Sequence, residues 1–270
     1  MFRRFRRFRR FRGFRGSGVL LVAVLLAGSA CAAHVFVPPP GPGVPAPDAA
    51  AAWDEAARAC RDVRNVSANV RVAVRAGRGK SPSLAVTVVA TAAGGIRLDG
   101  AQVFLLAGNA SRADYLRRDD NRFVTARADE IVEAMAGVKL GPERLLAVLT
   151  GCVATSPGFV DGARFGSQLA VRTRDSRVFL ARRDGRWRAV AGDADGIVVD
   201  YRGFDGDWPS AWRAAAATSA AILDVTVTDL TVNDASLDGN TAAFQVKLPP
   251  SATPMTLEEL RAAGPLRGGK

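Results

Sequence analysis

The chain has 270 residues, a formal net charge of +11 from 37 Lys and Arg against 26 Asp and Glu, and a sequence pI near 10.8. Eight of the basic residues and none of the acids fall in residues 1–31, so the remainder, 29 basic against 26 acidic, keeps no excess suited to a nucleic acid partner. A single histidine, His34, lies in a proline-rich stretch, and no CxxC, HExxH or EF-hand spacing occurs, so the sequence offers no catalytic couple, no metal site and no cofactor motif.

Residues 1–31 read as a leader. Met1 to Gly16 repeats Phe and Arg with eight arginines, Val19 to Ala27 is unbroken apolar sequence, and Gly28-Ser29-Ala30 precede Cys31. A charged start, a short apolar core and small residues at the cut are the marks of a secretory signal. The apolar core is about half the roughly 20 residues that a spanning helix needs. Leu25 to Cys31 resembles a bacterial lipobox, which makes Cys31 the candidate for lipidation. It departs from that pattern at Gly28, where leucine is preferred, and Gly28-Ser29-Ala30 would also serve an ordinary signal peptidase. Residues 32–52 are rich in Pro, Gly and Ala and read as an extended tether.

The folded part is expected to span 53–270. Trp53, Ala56, Ala57 and Cys60 are spaced as on one helix face. From Asn65 the period changes to two: Val66, Ala68, Val70, Val72 and Val74 face one way, while Ser67, Asn69, Arg71 and Arg75 face the other. After a turn at 77–82, further strands are predicted at 84–88, 96–98, 103–106, 113–116 and 122–125. Two helices follow within 128–149, marked by Asp129 and Pro142 near their starts and Gly151 past the end. Strands resume at 168–172, 177–182, 187–191, 196–201 and 222–232, with a hairpin turn at Asp184-Gly185. A last strand at 242–248 and a helical turn at 256–263 end the pattern. Closely spaced strands imply an antiparallel meander. Cys60 and Cys152, in an exported chain, either pair or remain as buried thiols.

The carboxylate pairs Asp119/Asp120, Asp129/Glu130, Asp193/Asp195, Asp205/Asp207 and Glu258/Glu259 sit in predicted turns or helix starts, where such residues are structural. Arg117-Arg118 and Arg182-Arg183 read as solvated strand ends; the less ordinary reading is a rim that holds lipid phosphate.

Two stretches, residues 141–151 (GPERLLAVLTG) and 225–260 (VTVTDLTVNDASLDGNTAAFQVKLPPSATPMTLEEL), together with helices inserted into a long β meander behind a lipobox, resemble the LolA/LolB-like superfamily of lipoprotein carriers and receptors. The resemblance implies a mainly β domain with few helices: a single curved antiparallel sheet forming an incomplete, half β-barrel, capped by helices and holding an apolar cavity for acyl chains. In that arrangement the cavity walls fall to Val70, Val72, Leu84, Val86, Leu145 and Leu149, with Gly137 and Gly141 as hinges of a helical gate. Ala32, following Cys31, implies sorting to the periplasmic face of the outer membrane. The expected activity is non-enzymatic binding of acyl chains or lipoproteins. The alternative is an envelope-assembly lipoprotein that binds a protein partner; a hollow interior favours the first reading and a filled one with an exposed apolar patch the second.

Overall fold

Period-two alternation builds most of this chain, and the computed structural model, which describes residues 35–76, 79–153, 158–216 and 221–264, gathers the strands into one sheet. The leader, Cys31 and His34 lie outside the described residues. The strands are β1 (Val44–Pro45), β2 (Asn65–Ala76), β3 (Gly79–Lys80), β4 (Leu84–Thr91), β5 (Gly95–Asp99), β6 (Phe104–Asn109), β7 (Ala113–Arg117) and β8 (Arg122–Ala126) in the first half. The second half supplies β9 (Phe159–Phe165), β10 (Gln168–Thr173), β11 (Ser176–Arg183), β12 (Arg186–Ala194), β13 (Ile197–Asp205), β14 (Trp208–Ala216), β15 (Ala221–Val232) and β16 (Thr253–Pro254). The helices are α1 (Ala49–Ala57), α2 (Ala128–Ala136), α3 (Pro142–Thr150) and α4 (Leu257–Ala263).

Two meanders, β4 to β8 and β9 to β15, meet where β2 lies between β15 and β4. The order runs β1-β9-β10-β11-β12-β13-β14-β15-β2-β4-β5-β6-β7-β8-β16, with β3 paired to β2 and no closure of the ends among the described residues. The sheet is therefore an open, curved one. It is antiparallel except at its last pair, where β16 runs parallel to β8. Where β15 meets β2, Leu223 faces Val74, Val225 faces Val72 and Val227 faces Val70, and a bulge follows before Asp229.

The helices cover one face, here called concave. Val66, Ala68, Val70, Val72 and Val74 point into it and are buried, while Arg71 points away and is exposed. Its core joins these residues to Ile96, Leu106, Tyr115, Val199 and Trp212 from the sheet and to Ile131, Met135, Leu145 and Leu149 from the helices. Further along, α1 lies over β10 to β12, with Ala49 and Ala52 against Leu169, Val171, Val178 and Leu180. Gly162 permits that approach, because a Cβ there would stand 2.2 Å from the Ala49 Cβ.

The other face carries two straps. Phe36 packs on Phe179 with ring centroids 4.6 Å apart. On the opposite wing, residues after β15 cross the outer face of β5 and β6 as short 3-10 turns at Ala235–Leu237 and Thr241–Phe244. Asn240 caps the second turn by accepting from the Ala243 N–H at 3.2 Å, and Arg97 Nη1 donates to the Ala243 carbonyl at 3.2 Å. The strap then rounds the sheet edge, where Thr256 and Glu259 form a capping box that starts α4.

Several sequence expectations change. The stretch 32–52 is not a free tether over its described part: Val35 is buried, Val44–Pro45 pairs with Arg164 and Ala163, and the helix begins at Ala49 rather than Trp53. Four consecutive alanines, 49–52, have high helix propensity, and Ala49 and Ala52 are buried, Ala49 against Gly162. Residues 242–248 form no strand, because the Asn240 cap turns the chain and Arg97 holds it across the sheet. Strands β9 and β14 stand where the sequence pattern marks none.

The structure joins Cys60 and Cys152 in a disulfide with Cα atoms 5.6 Å apart and a sequence separation of 92. A loop of that length contributes roughly 4–5 kcal/mol in the chain-entropy model. Replacing both cysteines by serine is therefore expected to lower Tm by roughly 8–20 °C, at about 2–4 °C per kcal/mol for a domain this size; differential scanning calorimetry that finds no change contradicts the assignment.

On the outer face, Asp224 of β15 joins its neighbours on both sides, accepting from Arg213 Nε of β14 at 2.6 Å and from Arg75 Nε of β2. Burial raises its carboxyl pKa, but the two guanidinium partners outweigh that and hold it below the ordinary value. A depressed carboxylate stabilises the fold fully above the unfolded pKa near 4 and stops doing so as pH falls through the lower native value. Asp224→Asn should lose stability near neutral pH and show a flatter acid limb below about pH 4 in urea titrations. An acid limb unchanged from wild type would mean that the cluster does not couple to folding.

Candidate functional site

The six residues expected to wall an acyl cavity converge. Val70 pairs with Val86 and Val72 with Leu84 across β2 and β4, so their side chains share the concave face. Leu145 and Leu149 reach them from α3, whose spacing of four places both on one side of the helix. They do not enclose an empty chamber, however. Val70, Val72, Val86, Leu145 and Leu149 are only 1–8 % exposed, and Leu84 packs at their margin. The concave face is filled by its own helices.

The helices differ in how they are held. α3 is fixed at three points. At its N-terminus Arg144 donates to the Ala194 carbonyl at 2.6 Å and pairs with Asp195. In its middle, Tyr201 Oη donates to the Val148 carbonyl at 3.1 Å, and burial pushes that phenol pKa well up. Past its C-terminus, after Gly151 in the left-handed region, Cys152 carries the disulfide to Cys60. Among the described residues α2 has no such ties. Asp129 pairs locally with Arg127 at 3.1 Å and Lys139 at 3.6 Å, and the helix otherwise packs by Ile131, Val132 and Met135 against the sheet and α4. Gly137 ends it in the left-handed region with φ of 78°, a conformation that makes glycine the natural residue there. Gly141 has an extended backbone and serves as the N-cap of α3.

Within the filled core two polar atoms lack partners among the described residues: Tyr115 Oη and Trp212 Nε1. Buried Tyr and Trp usually find a hydrogen bond, and leaving one unmade costs about 1–3 kcal/mol. Burial also pushes the Tyr115 phenol pKa upward. The concave core is therefore apolar and well packed, yet incompletely satisfied.

The charged residues are mostly spoken for. Arg117 is held by Asp119 and Asp120, Arg118 by Asp99 at 2.8 Å, and Arg122 by Glu259 at 2.9 Å. Arg182 lies 5.0 Å from the Trp187 ring centroid. A phosphate rim at Arg117-Arg118 would have to displace these carboxylates. Among the described residues no three His, Cys, Asp or Glu side chains are grouped to hold a metal ion. No described helix is long and apolar enough to cross a membrane.

The sequence reading missed a cleft of about 850 Å³ on the outer face, between the 235–246 strap and the sheet. Its size falls within the roughly 300–1,000 Å³ of ordinary ligand pockets. Gly95 and Ala107 form part of the floor, Phe244 and Val246 stand on the strap side, and Arg64 and Arg112 lie at its borders. The strap itself coincides with the strand expected at 242–248, so its alternation was visible and its path was not.

No protein-family model matches the chain, and no curated protein matches it. Solved structures similar to it include a putative outer membrane lipoprotein-sorting protein domain from Vibrio parahaemolyticus, at 8% identity over 73% of this chain and 97% of that one, with a TM-score of 0.42. The LolA superfamily protein NE2245 from Nitrosomonas europaea is 11% identical, covering 72% of this chain and 94% of its own, with a TM-score of 0.44. LprF from Mycobacterium bovis is 12% identical over 78% of this chain and 100% of its own, with a TM-score of 0.27. At these identities and TM-scores the likeness carries no residue, ligand or activity over to this chain.

Proposed function

We propose that the protein is a non-enzymatic, lipid-anchored envelope protein of the periplasmic face of the outer membrane, which binds acyl chains of lipids or lipoproteins against its concave face. The observation that carries this reading is the unequal tethering of helices over one continuous apolar surface. α3 is locked to the sheet by Arg144, Tyr201 and the disulfide, whereas α2 and α4 are held largely by packing, with the Arg122–Glu259 pair at the sheet edge. An acyl chain entering between α2 and the sheet would replace apolar contacts with apolar contacts, each buried side chain giving at most about 1.5–3 kcal/mol. Such contacts are non-directional, which suits reversible cargo. Opening would also bring Tyr115 Oη, on the β7 strand that α2 covers, within reach of a polar partner. The gate in this reading is α2 with α4, narrower than the whole 129–150 segment.

One observation favours the second reading, a lipoprotein that binds a protein partner. Val37, Val44, Phe159 and Val160 are 69, 67, 36 and 52 % exposed, beside and on the β1–β9 end of the sheet.

A fluorescent long-chain fatty acid separates the two. Leu145→Ala, which truncates a wall residue at a stability cost of about 2–5 kcal/mol, should weaken binding severalfold while circular dichroism shows the fold retained. Leu260→Ala, which loosens α4 without touching the six wall residues, should speed association in stopped flow. Failure of the wild-type protein to bind any long-chain acid contradicts the acyl-binding reading and leaves the protein-partner one.

A further inference from the structure

The outer-face cleft stands apart from the concave surface and needs no helix to move. It is open as the chain folds, because the floor residues are small and the strap is pinned at both ends. At one end Asn233 Oδ1 accepts from the Arg64 N–H at 2.8 Å, and at the other the Thr253 N–H donates to the Asn121 carbonyl at 3.0 Å. Between them the Phe244 ring lies directly over Gly95, where an added Cβ would stand 3.0 Å from the ring. Ala92 and Ala93, exposed in the β4–β5 turn, continue the apolar lining toward Leu237 and Val246.

Two polar features give the cleft direction. Asn65 is 2 % exposed and lines it; its Nδ2 donates to the Asp234 carbonyl at 3.2 Å and to Asp238 Oδ1 at 3.1 Å, yet its Oδ1 has no partner among the described residues. A buried amide oxygen left unpaired calls for a donor, since native structures satisfy nearly all such atoms. At the border stands Arg112. The β6–β7 turn that presents it is fixed by Asn109, whose Oδ1 accepts from the Ser111 and Arg112 N–H groups at 3.0 Å each. A Cβ at Gly108 would stand 2.4 Å from the Arg112 carbonyl oxygen, so glycine is required for the turn to close. The Arg112 guanidinium makes no ion pair among the described residues, unlike Arg117, Arg118 and Arg122 nearby. Arg64, also lining the cleft, is exposed and pairs with Asp238 at 3.6 Å.

We propose that this cleft binds a single-chain amphiphile with an anionic head. The acyl chain lies over Gly95 and Ala107 beneath Phe244, the head's anionic oxygens meet Arg112 and Arg64, and a head-group hydroxyl donates to Asn65 Oδ1. The apolar lining accounts for the chain, the unpaired guanidinium for the charge and the orphaned amide for the hydroxyl. A neutral apolar molecule would leave both polar groups unanswered.

Isothermal titration of the protein with decyl phosphate, decanoate and decanol tests this, with the two anions distinguishing a phosphate from a carboxylate head. At least one anion should bind about tenfold more tightly than decanol, the difference expected of a charge-assisted hydrogen bond. Arg112→Glu should abolish that preference, and Ala93→Trp, which fills the cleft from an exposed turn, should weaken all three probes. Leu145→Ala on the concave face should leave the preference for the anions over decanol unchanged, since that preference belongs to Arg112 and Arg64 in the cleft. Decanol binding as tightly as both anions, or no probe binding, overturns the inference. Binding that is lost in Leu145→Ala but kept in Ala93→Trp also overturns it, while supporting the concave-face reading.

Discussion

Everything in this fold depends on the pairing of β2 with β15. Arg75 and Asp224, which bond across the two strands, are 149 residues apart in sequence. The register joins Val66 to Val232 at one end and Arg75 to Ile222 near the other. On one side hangs the meander of β4 to β8, on the other that of β9 to β15. A slip of one residue would turn Val66, Ala68, Val70, Val72 and Val74 to the outside and bring Arg71 and Arg75 into the core. The bulge after Val227 and the Asp224 cluster with Arg75 and Arg213 oppose such a slip on the outer face, as the valine ladder does on the inner one. Closing contacts this distant costs chain entropy before it returns any stability. The Cys60–Cys152 bridge reduces that cost by joining the first helical region to the end of α3.

The same seam decides what each face can do. The concave face is one continuous apolar surface because two meanders were brought edge to edge, and the helices are needed to keep it from water. Filling and binding compete for that surface: the side chains that would receive an acyl chain are now receiving each other. The balance is set by how firmly each helix is held, and α3 is held by charge, hydrogen bond and covalent bond, α2 chiefly by burial. On the outer face the competition is absent. There the strap leaves space above small residues, so a cleft coexists with the packed state.

How much of this could be read from the sequence followed the range of the interactions. The alternation from 66 to 74, the Asp184-Gly185 hairpin with φ of 52° and 79°, the Pro142 start of α3 and the helical turn at 256–263 are local devices, and each was legible. β9 was not, because Gly162 interrupts its pattern for the sake of Ala49, a residue more than a hundred positions away. β14 hides behind Pro209 and a run of alanines from 214 to 216. Ala242 to Leu248 has strand-like alternation but spends it on crossing the outer face, since Arg97 on β5 and the Asn240 cap fix its path. The six wall residues could be named in advance because alternation and helix spacing place them on common faces; whether that space is filled depends on the volumes of all the facing side chains, which no local pattern encodes. The outer cleft depends on the smallness of Gly95 and Ala107 beneath a distant strap, and smallness alone marks no site in a chain rich in glycine and alanine.

The central claim is that this sheet is a binding surface for acyl chains. Its most direct test is mass spectrometry of the small molecules extracted from the protein after purification from envelopes without added lipid or detergent exchange. The account predicts acyl-bearing lipids or lipoprotein-derived acyl chains in near-stoichiometric amount, beyond any covalently attached at Cys31. Extracts with no acyl species above those of an unrelated envelope protein purified in parallel would contradict it.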